Sequence, residues 1–107
     1  MDKLNFYRQI VKEVVTQYSK LRPSHGNIRL DTIFDESQDR YALMQTGWDR
    51  GKRVRGNLIY LILSGEKVII EYDGIESGIT QDLIAQGIAE EDIILAFVSP
   101  QENKIIA

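Results

Sequence analysis

Between residues 35 and 73 the chain turns back three times within a few residues, at Asp35-Glu36-Ser37-Gln38-Asp39, Arg50-Gly51-Lys52 and Ser64-Gly65-Glu66. No other feature limits the possible folds as much. The segments between these turns read with a period of two, the spacing of strand residues that share a face. A parallel pair needs a crossover of roughly a dozen residues or more, so strands joined this tightly must be antiparallel neighbours. The strands fall at 27–34, 40–48, 53–63 and 67–73, and the middle of the chain is a four-stranded antiparallel meander.

The flanks read differently. Leu4, Tyr7, Val11, Val14, Tyr18 and Leu21 recur at steps of three and four, widened by Phe6, Ile10 and Val15, which predicts an amphipathic helix over 3–20. Arg22-Pro23-Ser24-His25-Gly26 stops it. A short helix is expected within 77–87, capped by Ser77 or Thr80 and closed by Gly87. After the acidic turn Glu90-Glu91-Asp92, the apolar run 93–98 suits a last strand. Helices at the ends and strands run together predict an α+β fold: N-terminal helix, four-stranded antiparallel meander, short helix and final strand. At 107 residues this is expected to be a single domain, 1–107.

Composition narrows the chemistry. With no cysteine, disulfides, thiolate catalysis and Cys-based zinc sites are ruled out, and the one histidine, His25, forms no cluster. No metal site and no cofactor are expected. The N-terminus lacks a secretory pattern and no apolar run approaches the ~18 residues that cross a bilayer, so a cytoplasmic protein without membrane contact is expected. A net charge of -3 argues against general nucleic-acid binding, because phosphate contacts need clustered Lys and Arg.

One stretch opposes that balance. GWDRGKRVRG, residues 47–56, gathers Arg50, Lys52, Arg53 and Arg55 beside Trp48, the only tryptophan. Arg53 and Arg55 share a strand face and the other two lie at the adjoining turn; the plain reading is a solvated hairpin tip, and against it stand a patch that holds an anion or a partner carboxylate and a DNA-binding module built on 50–55. It is not a phosphate loop, since the Gly-Lys-Ser/Thr order is missing. Trp48 is expected in the core, with an interface anchor as the other reading.

A second candidate is a surface. Ile59, Leu61, Leu63 and Ile69 alternate against Val54, Leu58, Tyr60, Ile62, Val68 and Ile70, so the sheet looks apolar on both sides. The set 59, 61, 63 and 69 is expected to form the uncovered face, a docking surface or a homodimer interface, unless the helices and last strand cover both faces. Glu71 and Asp73, two apart on β-type sequence, are the best case for a metal-dependent nuclease, although Asp73-Gly74 also fits plain turn chemistry. Asp31, Asp35, Glu36 and Asp39 read as a solvated edge.

Taken in order, several pieces resemble the fdxN element excision controlling factors, the XisI-like proteins, over nearly the whole chain. These are Ile33-Phe34-Asp35, Tyr41-Ala42-Leu43-Met44 with Gly47-Trp48, Arg53-Val54 with Gly56-Asn57-Leu58-Ile59, Lys67-Val68-Ile69-Ile70 with Asp73-Gly74 and Glu76, Leu83 with Gly87-Ile88, and Glu91-Asp92-Ile93-Ile94-Leu95-Ala96-Phe97 before Pro100. The resemblance implies a non-catalytic accessory factor in programmed DNA-element excision. It also implies a XisH-like, nuclease-fold protein partner, with DNA contacted only indirectly or weakly. The chain departs from that family's pattern at Tyr60, where His is common, Ile62, where Asp is common, and Ile69, where Trp is common.

Overall fold

The computed structural model describes residues 2–21 and 27–98. Helix α1 (Lys3–Ser19) buries Tyr7, Ile10, Val11, Val14 and Val15, the stripe read from the sequence. Asp2 caps its start, its carboxylate accepting from the Asn5 N–H at 2.7 Å. The expected stop at 22–26, with His25, lies outside the described residues. Four strands follow, β1 (Asn27–Asp35), β2 (Arg40–Asp49), β3 (Lys52–Ser64) and β4 (Lys67–Asp73), each antiparallel to the last.

Helix α2 (Thr80–Gln86) and a 3-10 turn at Glu90–Asp92 lead to β5 (Ile93–Leu95). This last strand lies parallel to β4, which makes one five-stranded mixed sheet in the order β1-β2-β3-β4-β5. The final strand is thus the fifth member of the meander's sheet. It is also shorter than 93–98, because Ala96 and Phe97 leave the ladder in a turn. Neither Ser77 nor Thr80 caps α2. Its N-cap is Ile79, whose N–H donates to the Asp73 carboxylate at 2.9 Å, while Gly87 closes the helix with a positive φ of 125°.

Both helices lie over one face of the sheet. The core under them holds Tyr41, Leu43, Ile59, Leu61, Leu63, Val68 and Ile70, together with the α1 stripe and Ile79, Leu83 and Ile88. Ile59 and Leu61 are fully enclosed and Leu63 is 4% exposed, so these three are core and not an uncovered face. The expected grouping fails because of two β-bulges. Leu43 pairs with Ile59 but Met44 with Asn57, so Leu58 is an extra residue in β3. That insertion flips the alternation: Val54 and Gly56 point to the helix side before it, Ile59, Leu61 and Leu63 after it. In β4 the extra residue is Glu71, between pairs Tyr60–Tyr72 and Leu61–Ile70. Ile62 and Ile69 pair directly, and both belong to the opposite face.

Among the described residues, one charged side chain is buried in this core. Asp92 is 4% exposed and accepts from the Tyr7 hydroxyl at 2.5 Å, from Lys3 at 2.7 Å and from Lys67 at 3.0 Å. The Tyr7 oxygen in turn accepts the Ala89 N–H. These partners, Lys3 first, hold the Asp92 carboxyl far below the usual carboxylate range. Further along α1, Arg8 pairs with Asp39 at 2.9 Å and Lys12 with Glu36 at 2.6 Å, so these acids tether the helix to the β1–β2 turn. No helix among the described residues is long and apolar enough to cross a membrane.

Because the folded carboxyl has the lower pKa, Asp92 contributes stability in full above its unfolded value near 4, and loses it as pH falls through the folded value. Asp92→Asn is expected to cost about 1–3 kcal/mol at pH 7, as a buried hydrogen-bonded acceptor is lost. It should also flatten the acid-side decline. Urea denaturation at pH 7 and pH 3 checks both, and equal slopes for the two proteins would contradict the assignment.

Candidate functional site

The β2–β3 hairpin turns at Arg50-Gly51, whose φ angles are 54° and 78°. Two positive φ values in succession mark a mirror-image turn, the type whose twist matches that of paired strands. Asp49 and Lys52 close it as a cross-strand pair. From there the register builds two transverse rows on the face away from the helices: Asn27, Trp48 and Arg53, then Arg29, Thr46 and Arg55.

Gly47 lets the first row close up. A Cβ at this position would lie 2.0 Å from the Asn27 carbonyl oxygen, so only glycine allows β1 to come this near. Beside it Trp48 is 54% exposed, not in the core as expected. Its position two residues before a tight turn, on the face no helix covers, accounts for that. The Arg53 guanidinium stands 5.5 Å from the indole centroid and donates to the Gly47 carbonyl at 3.3 Å. An open hollow of about 330 Å³ is lined by Asn27, Arg29, Thr46, Gly47, Trp48 and Arg53.

The structure brings Trp48, Arg53 and Arg55 together on one face and sets Arg50 at the tip. Lys52, next in the strand to Arg53, falls on the alternate face and borders the patch from behind. Sequence reading missed Arg29, which reaches the row through the β1–β2 register and pairs with Asp31 at 2.9 Å. Its place was legible once β1 was aligned on β2. Arg50, Lys52 and Arg55 make no hydrogen bond or ion pair with any described residue. By contrast Lys3, Arg8, Lys12 and Lys67 are all committed to carboxylates. A guanidinium held 5.5 Å from an indole, with uncommitted Arg55 and Arg50 near it in the hairpin, suits a planar anion such as a carboxylate, or a phosphate.

The acidic pair is arranged otherwise. Both Asp73 oxygens are taken by backbone donors, Oδ1 by Ile75 N–H at 3.1 Å and Oδ2 by Ile79 N–H at 2.9 Å, which anchors the loop into α2. Glu71 is exposed at the β4 bulge, so the two carboxylates do not share a regular strand face. Among the described residues no group of three or more His, Cys, Asp or Glu is arranged to hold a metal ion.

The sequence profile of the XisI protein family matches residues 1–107. The fold is similar to that of the fdxN element excision controlling factor XisI from Anabaena variabilis, at 36% identity and a TM-score of 0.76, covering 94% of this chain and 98% of that one. It is also similar to a XisI-like protein of the same organism, at 22% identity and a TM-score of 0.81, covering 92% and 91%. The second likeness is one of fold alone. No match is found among curated proteins.

With a single tryptophan, fluorescence reports this corner without interference. The emission is expected to be that of a hydrated indole, readily quenched by acrylamide, and Trp48→Ala should change stability by no more than ~0.5 kcal/mol. A blue-shifted, unquenched emission would place the ring elsewhere.

Proposed function

The chain belongs to the XisI protein family, and from that premise we propose that it is a control factor in the excision of a DNA element, without catalytic activity of its own, which acts by binding a XisH-like protein. The observation that carries this reading is the corner at Trp48. In a chain of net charge -3, an exposed indole carries Arg53 beside it, with Arg55 in the next row of the same face and Arg50 at the adjoining tip, the last two without a described partner. Trp and Arg are the residue types that most often dominate binding energy at protein interfaces, and uncommitted cations at such a site call for carboxylates on the other side.

The chemistry of the remaining acids supports binding over catalysis. Asp73 is saturated by backbone donors and Asp92 by Tyr7, Lys3 and Lys67, so each carboxylate already has a structural duty. The corner offers recognition groups, an exposed indole and its neighbouring guanidinium.

Co-expression with the XisH-like protein, followed by size-exclusion chromatography with mass determination, tests the proposal. A stoichiometric complex is expected, weakened at least ~10-fold by combined Arg50→Glu, Arg53→Glu and Arg55→Glu, with an association rate that falls as salt rises. A complex indifferent to the triple reversal would remove the corner from the interface. No complex, with salt-dependent binding of a DNA duplex instead, would replace the reading by direct DNA contact.

A further inference from the structure

Among the described residues, both helices lie on one face of the sheet and no element lies over the other. Register places three transverse rows there: Asp35, Arg40, Ile62, Ile69 and Ile94; then Ile33, Ala42, Tyr60 and Tyr72; then Asp31, Met44 and Asn57. Ile33 is 55% exposed, Tyr72 47% and Ile94 39%, while Tyr60, Ile62 and Ile69 are half-buried only by one another and their strand neighbours. A continuous apolar surface of this kind, several strands wide, marks an interaction site. We propose that this face, centred on Tyr60, Ile62 and Ile69, is the interface with a second copy of the chain, sheet packed on sheet about a two-fold axis.

Three features select a second copy over another partner. First, two identical sheets carry the same right-handed twist, so they pack face to face at the aligned angle of about 30° without remodelling. Second, the centre of the face is uncharged: Asp31, Asp35 and Arg40 sit at its β1–β2 margin and Glu71 at the β4 bulge, so self-apposition buries no unpaired charge. Third, the area fits. Rows five, four and three strands wide, with strands about 4.8 Å apart and rows about 6.6 Å apart, give roughly 400 Å² of flat sheet. The relief of Tyr and Ile side chains raises this toward the ~600 Å² per partner at the lower bound of specific interfaces. A reversible dimer with Kd on the order of micromolar follows.

The inference does not depend on the XisH-like partner, and its test leaves that partner out. Sedimentation of the isolated full chain over a range of concentrations is expected to show a monomer–dimer equilibrium. Ile62→Lys with Ile69→Glu should abolish it while far-UV circular dichroism and melting remain those of a folded protein, because neither side chain is in the core. Arg50→Glu with Arg53→Glu should leave the equilibrium in place, since the corner lies beyond the apolar rows. The absence of cysteine supplies a second readout. Tyr60→Cys should be joined into a covalent dimer by a short bis-maleimide cross-linker that spans the ~10 Å between packed sheets, and Glu13→Cys, on the exposed side of α1, should not. A monomer at all concentrations, a dimer untouched by the Ile62/Ile69 pair, or preferential cross-linking through Cys at position 13 would each overturn the proposal.

Discussion

A single buried carboxylate holds the two ends of the described chain together. Asp92 accepts a hydrogen bond from Tyr7, 85 residues earlier, and lies between Lys3 on α1 and Lys67 at the start of β4. Burying a charge is tolerated only when it is paired and hydrogen-bonded, so this position exists because three donors converge on it. The convergence fixes where the C-terminal segment returns. Asp92 immediately precedes β5, whose Ile93 aligns with Val68 and so enters the sheet parallel to β4. The ammonium groups of Lys3 and Lys67 remain half in water, which keeps the cost of desolvating the cluster low.

With the ends tied on one side, all the helical cover lies on that side. One long helix and one short one suffice for a single face, and the bulges at Leu58 and Glu71 decide which side chains face that cover. Each bulge shifts the inside–outside alternation by one residue and increases the local twist. β3 runs for 13 residues, and only its second half is paired to β4. Its first half, with β1 and β2, projects as a three-stranded arm. The cationic corner sits at the end of that arm, away from the core it would otherwise perturb.

Helix α1, the four strands and the antiparallel order were legible because each follows from local periodicity and turn length. The bulges were not. A strand such as RVRGNLIYLIL is consistent with either parity after Gly56, and only pairing with Leu43 shows that Leu58 is the extra residue. A one-residue error there carried Ile59, Leu61 and Leu63 to the wrong face. Asp92 was hidden for a related reason: Glu90-Glu91-Asp92 looks like a solvated turn until Tyr7 and Lys3 arrive from the other end of the chain. Trp48 was misplaced because its burial depends on whether a helix lies over it, which no local pattern encodes. Arg53 and Arg55 share a strand face, as their spacing implied, while Lys52 lies across the strand from them.

The corner and the bare face lie on the same side of the sheet but at different distances along it, and this arrangement has a consequence for binding. If two copies meet across the Tyr60 row, with the axis running along that row, their strands run in opposite directions. The two arms then extend beyond the interface at opposite ends, and each presents its Trp48 corner free of the other copy. Such a dimer is bivalent. A partner that is itself paired, or tethered at two points of one DNA, would meet the second corner at an effective concentration set by geometry and not by diffusion. Modest affinity at one corner would then become selective for assembled partners over isolated ones. If the corner binds a partner as proposed, its influence would then turn on whether that partner is assembled.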